Sequence, residues 1–141
     1  MSVLKKCFHV KKRDFISAGE ASINIQNILK SMQIDPKLIR RIAICGYEGE
    51  MNVVMHGGDG MVCAEINTDN IVLDISDNGP GIEDIRLAMQ KGYSTATDEY
   101  REMGFGAGMG LPNMEKNADL FTIESEKGKG TRVRMVFHMR R

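Results

Sequence analysis

The sequence predicts an α+β domain in which one mixed, mostly antiparallel sheet carries helices on one face. Two stretches in the first third repeat apolar residues at helical spacing, while short runs farther along have strand character and are separated by turn residues. Helical stretches precede and interrupt those strand runs. With 141 residues and 42% hydrophobic content, the chain suits a single domain over 1–141, large enough to bury a core and too small for two.

Residues 4–10 form a short candidate strand. Asp14 is placed to cap a first helix, because Ala18, Ala21, Ile25, Ile28, Leu29 and Met32 recur three and four residues apart. Asp35-Pro36 reads as a cap followed by proline at the first helical position, and Leu38, Ile39, Ile42, Cys45 and Met51 carry a second helix to Gly57-Gly58. Strand-like runs over 61–67 and 71–76 flank Thr68-Asp69-Asn70, whose turn chemistry predicts a hairpin. A short helix over 83–90 leads into 91–109, a glycine-rich stretch of little periodicity and unusual length for a loop. A helix over 110–118, a strand over 120–125, a turn at Gly128-Lys129-Gly130 and a closing strand over 131–138 complete the chain.

Nineteen Lys and Arg balance nineteen Asp and Glu, so the global basic field that draws proteins to nucleic acid is absent and no nucleic-acid partner is expected. The basic N-terminus (Lys5, Lys6, Lys11, Lys12, Arg13) lacks the apolar stretch of a signal peptide, and no run reaches the roughly 18 apolar residues of a membrane span. The expected location is the cytoplasm, away from membranes. Cys7, Cys45 and Cys63 are odd in number and lack CxxC spacing, and read as reduced core thiols. His9 and His138 read as strand-surface residues.

Three constellations carry chemistry. Glu48, Asn52 and His56 are spaced by four on the second helix and share one face. An Asn carbonyl suits one position around Mg²⁺, with phosphates and waters filling the others, and Glu48 could serve as a general base; a solvated helix face would look the same. Asp77-Asn78-Gly79-Pro80-Gly81 sets a carboxylate at a strand end, able to accept from an exocyclic amine such as adenine's, beside two glycines that let a ligand approach. An ordinary tight turn uses the same residues. Gly104 through Leu111, with glycines at 104, 106, 108 and 110 and Met109 among them, runs directly into a helix, where backbone N–H groups and the dipole favour an anion such as a triphosphate. A flexible glycine hinge is the alternative. No GxxxxGK[ST] occurs, which sets the P-loop fold aside.

Taken in order, Glu48-x-x-x-Asn52, Asp77-x-Gly79-x-Gly81, Gly106-x-Gly108-x-Gly110 and Gly130-Thr131 resemble the N box, G1 box, G2 box and terminal GT element of the GHKL ATPase superfamily. The size is similar to that of the stand-alone anti-sigma-factor serine/threonine kinases of bacteria. Gly92-Tyr93-Ser94-Thr95-Ala96 and the stretch from Gly104 to Asn113 resemble the switch-kinase branch, which acts with stressosome proteins in partner-switching pathways. The resemblance implies the Bergerat α/β sandwich, with ATP beneath a lid at about 91–109. It assigns Asn52 to Mg²⁺, Glu48 to the attacking hydroxyl and Asp77 to the adenine amino group. Gly79 and Gly81 would line the base pocket, Gly106, Gly108 and Gly110 would wrap the phosphates, and Thr131 would assist at the base. Anti-sigma kinases carry an arginine just before the G2 glycines, where this chain has Phe105-Gly106-Ala107, so Arg101 or Lys91 is left to supply that charge from the lid.

The implied reaction moves the γ-phosphate of ATP to a serine or threonine of a STAS-domain partner, with a downstream regulator such as a phosphatase or cyclase. An ATP-gated binding regulator with little turnover uses the same pocket, but binding alone requires no base at Glu48. The catalytic domain of a histidine kinase would need a phosphoacceptor helix, on which neither His9 nor His56 is placed.

Overall fold

The computed structural model describes residues 2–56, 58–82, 84–90 and 110–139. The stretch expected to form a lid, 91–109, lies outside the described residues. Five strands, β1 (Ser2–Val10), β2 (Gly60–Asn67), β3 (Asn70–Asp77), β4 (Leu120–Glu126) and β5 (Gly130–His138), form one sheet in the order β1-β2-β3-β5-β4. All four pairings are antiparallel, so the sheet expected to be mixed contains no parallel pair among the described residues.

Period-two alternation decides which face is covered. Val62, Ala64 and Ile66 on β2, Ile71, Leu73 and Ile75 on β3, and Val133, Met135 and Phe137 on β5 are all buried against the helices. Of the alternate positions, Lys5, His9, Arg132, Arg134 and His138 are exposed on the open face, Cys63, Glu65 and Asp74 are half-buried there, and Val72 is buried. The helices are α1 (Glu20–Ser31), α2 (Pro36–His56), the single turn α3 (Ile85–Ala88) and α4 (Gly110–Asn117). Helix α2 is the central one, packed against α1, α4 and the sheet. Gly46 and Gly49 let it lie close, since a Cβ at Gly46 would stand 3.2 Å from Ser22 Oγ and one at Gly49 would meet Ile75 and, at 3.6 Å, Met114 Sδ. Arg41 ties α2 to the corner between α4 and β4, donating to the Asn117 carbonyl at 2.9 Å and to Asp119 at 3.1 Å. Among the described residues no helix is long and apolar enough to cross a membrane.

Two expectations are corrected. Helix α1 begins at Glu20, six residues beyond Asp14, whose carboxylate instead accepts from Ser17 N in a local turn. The cap is tertiary: Glu50 of α2 accepts from the backbone N–H of Gly19 (2.9 Å), Ala21 (3.3 Å) and Ser22 (3.0 Å) and from Ser22 Oγ (2.8 Å). A carboxylate there neutralises donors the first turn leaves unsatisfied and complements the positive end of the helix.

The second correction concerns the cysteines. Cys45 is a core thiol, fully buried, and burial pushes its pKa up to about 12. Cys7 and Cys63 alternate with Phe8 and Val10 and with Val62 and Ala64, so strand periodicity turns them to the open face. There they are direct cross-strand partners joined by a disulfide.

Candidate functional site: helix α2, helix α4 and the end of strand β3

Helix α2 delivers Glu48, Asn52 and His56, all half-buried, to the candidate site. Gly110, the first residue of α4, abuts the first two: a Cβ there would stand 3.2 Å from Glu48 Oε2 and 3.2 and 3.3 Å from the amide nitrogen and oxygen of Asn52. The sequence-predicted carboxylate and amide therefore converge on the N-terminus of α4, where N–H groups and dipole attract anions. Burial raises the Glu48 pKa above that of an ordinary glutamate, opposed by a side-chain hydrogen bond with Asn113. Burial also lowers the pKa of His56, favouring its neutral imidazole.

A second group is built on Asp77, the last residue of β3. Its Oδ1 accepts from Gly79 N at 2.8 Å and Gly58 N at 3.3 Å, which fixes the carboxylate; among the described residues Oδ2 receives no hydrogen bond. Thr131 is its cross-strand partner on β5. Ser125 Oγ accepts from Ile82 N at 2.6 Å and donates to the Gly130 carbonyl at 3.0 Å, so in its 2.8 Å contact with Thr131 Oγ1 the threonine is the donor. One hydroxyl thus joins β4, β5 and the loop after Asp77.

Two glycines make that junction possible. Gly130 has φ +88°, and a Cβ on it would strike the Asp77 carbonyl; Gly81 has φ +79° and lies against the Glu126 carbonyl in the same way. The Gly81 position is thus demanded by the β4–β5 turn, which also donates Gly128 N to the Pro80 carbonyl at 2.6 Å. Gly130→Ala should strain the backbone by about 1–3 kcal/mol and displace Asp77. A fall in thermal stability together with weaker nucleotide binding is the expected result; unchanged binding would detach the glycine from the pocket.

The structure brings together Glu48, Asn52 and Gly110 in one group, and Asp77, Gly79, Gly81 and Thr131 in another around the end of β3. Lys91, Arg101, Gly106, Gly108 and Met109 lie outside the described residues. Asn113 and Ser125 were not singled out as site residues in the sequence. Asn113 could have been, since it stands one helical turn beyond Gly110 on the same α4 face. Ser125 has no local signal, because its partnership with Thr131 exists only once β4 and β5 are in register.

The side-chain oxygen of Asn52 is a hard donor. Mg²⁺ keeps several waters and takes one or two protein oxygens together with substrate phosphates, so a single amide oxygen beside an anion-attracting helix end fits that ion.

A model of the histidine kinase-, DNA gyrase B- and HSP90-like ATPases matches residues 40–141. The anti-sigma F factor of Clostridium botulinum (strain Eklund 17B / Type B) is 37% identical over 127 residues, covering 84% of this chain and 85% of that protein. The anti-sigma F factor of Clostridium acetobutylicum is 34% identical over 110 residues, 73% of each chain. That of Thermoanaerobacter pseudethanolicus is 36% identical over the same length and coverage. The mycobacterial sensor histidine kinase MprB superposes with a TM-score of 0.55 at 13% identity, over 97% of this chain and 99% of that one, a likeness of fold alone. With the α+β sheet and the match over residues 40–141 in agreement, the chain belongs to the histidine kinase-, DNA gyrase B- and HSP90-like (GHKL) ATPase family, whose domain binds ATP.

Proposed function

We propose that this chain is an ATP-dependent protein serine/threonine kinase that phosphorylates a STAS-domain partner in a bacterial partner-switching pathway of the stressosome type, acting in the cytoplasm. The observation that carries the reading is Glu48: a half-buried carboxyl of raised pKa standing against Gly110 and beside Asn52. A nucleotide-binding module has no need of a base there, whereas transfer to a hydroxyl does. The anti-sigma F factor names of the relatives support a protein partner.

In this reading Asp77 accepts a hydrogen bond from the adenine amino group through Oδ2, with Gly79, Gly81 and Thr131 around the base. Gly110 and the first turn of α4, with Gly106, Gly108 and Met109, hold the phosphates, and the segment 91–109 acts as the lid from which Lys91 or Arg101 adds positive charge. Asn52 holds Mg²⁺, which when bound neutralises phosphate charge. His56 borders the pocket as a neutral group. Glu48 orients the partner's hydroxyl and takes its proton as the oxygen attacks the γ-phosphorus, ADP leaving on the opposite side.

A second reading, an ATP-gated regulator that binds its partner and scarcely turns over, is favoured by the word anti-sigma in the relatives' names. One incubation separates the two. The purified chain is mixed with γ-labelled ATP, Mg²⁺ and a STAS-domain protein from the same genome, and label is scored on the partner's serine or threonine. Label that disappears with Asn52→Ala is the expected result. ATP binding without label would favour the regulator, and absence of ATP binding would overturn both.

A further inference from the structure

The third cysteine, Cys45, is sealed in the core, whereas the other two face outward, Cys7 on the edge strand β1 and Cys63 on its neighbour β2. Strand β1 is terminal in the sheet order and, among the described residues, pairs only with β2. Cys7, at its middle, is exposed; Cys63, its partner on β2, is half-buried. Their surroundings differ in charge as well. On the open face Cys7 has Lys5 and His9 two residues to either side, while Cys63 has Glu65 two residues away and Asp74 as its β3 ladder partner. Asp74 is held by Arg132 through contacts of 2.6 and 3.1 Å.

We infer that Cys7 and Cys63 form a reversible thiol–disulfide modification site, addressed by small thiols through Cys7, that fastens the edge strand β1 to the rest of the sheet. Thiol–disulfide exchange needs an incoming thiolate in line with the S–S bond, and therefore access. Access is available at Cys7, whereas Cys63 has Asp74 directly beside it on β3; Glu65 stands across the ladder from Lys5. The thiolate attacks Cys7 Sγ, the S–S bond breaks, and Cys63 leaves with the electron pair and takes up a proton. A second small thiolate then attacks the sulfur of the first, forming the small disulfide, and Cys7 leaves with the electron pair and takes up a proton. The net change is one protein disulfide and two small thiols converted to two protein thiols and one small disulfide; oxidised glutathione drives the reverse.

Opening the bond leaves β1 held by backbone pairing with one neighbour and by Leu4, Phe8 and Val10 packed against the core, so local opening of Ser2–Val10 becomes easier while β3 and β5, flanked on both sides, are unaffected. The site is independent of the nucleotide pocket.

The test uses the full chain, folded, in buffers of varied reduced to oxidised glutathione ratio, followed by alkylation and peptide mass mapping. Two alkyl groups should be gained on reduction, at Cys7 and Cys63 and not at Cys45, and should be lost again on oxidation. Hydrogen exchange of the β1 amides should accelerate roughly tenfold or more in the reduced form, with β3 and β5 unchanged. In Cys63→Ser, Cys7 should take up one glutathione faster than Cys63 does in Cys7→Ser. A disulfide that glutathione cannot open in the folded chain, thiols that fail to re-pair at any ratio, equal rates for the two variants, or β1 exchange indifferent to the redox state would each overturn the inference.

Discussion

Glu50→Ala is expected to destabilise the fold by about 3–5 kcal/mol, with a fall in Tm of about 10–20 °C. The carboxylate is only 2% exposed and receives four hydrogen bonds, three from backbone N–H groups at the start of α1 and one from the buried Ser22 hydroxyl. Deleting it strands all four donors where water does not reach, and each unsatisfied buried donor costs on the order of 1–3 kcal/mol before relaxation. Against a total stability of about 5–15 kcal/mol the change is large. Glu50→Gln keeps one acceptor oxygen but turns an NH₂ group toward donors, so it should fall between alanine and the native residue. Urea unfolding of the three proteins measures this. A loss below about 1 kcal/mol for alanine would mean that α1 finds another cap, and that Glu50 is not what fastens it to α2.

That residue also marks how far the sequence could be read. Glu48 and Glu50 are two positions apart, so helical geometry turns them to nearly opposite sides of α2. The four-residue spacing of Glu48, Asn52 and His56 was legible and led to the pocket. Glu50 carried no pattern, because its partners Gly19, Ala21 and Ser22 belong to another helix and meet it only after packing. The start of α1 was misplaced for the same reason: a local cap at Asp14 is the sequence-level signal, and a cap supplied from 31 residues away in the chain is invisible to it.

The strands were legible because their alternation is strong, and the β2–β3 hairpin because its turn residues lie between two such runs. The insertion of β5 between β3 and β4 was not, since nothing local states which non-neighbouring strand will pair. That order matters to the site, for it sets Thr131 beside Asp77 and Ser125 beside Thr131. The cysteines are a case where the signal was present: odd-numbered positions in β1 and β2 oppose the apolar set, so Cys7 and Cys63 could not both be core residues with Phe8, Val10, Val62 and Ala64.

The second large effect expected is in catalysis. If Glu48 takes the proton from the attacking hydroxyl, Glu48→Ala should slow phosphoryl transfer by about 10²–10⁴-fold while nucleotide affinity changes little, because a general base contributes to the transition state and scarcely to ground-state binding. The shift in its pKa gives a sharper test. Burial raises it, and the base works only when ionised, so transfer should be lost as pH falls through that raised value and be fully present above it. The hydrogen bond with Asn113 works in the other direction, holding the carboxyl more acidic than burial alone would leave it. Asn113→Ala should therefore move the acid limb of the pH–rate profile to higher pH, with the plateau at alkaline pH retained if the carboxylate keeps its place against Gly110. A profile that stays put in Asn113→Ala would show that this hydrogen bond does not tune the base. A profile without an acid limb in the native chain, together with full transfer by Glu48→Ala, would leave positioning of ATP and the hydroxyl as the whole of the catalysis.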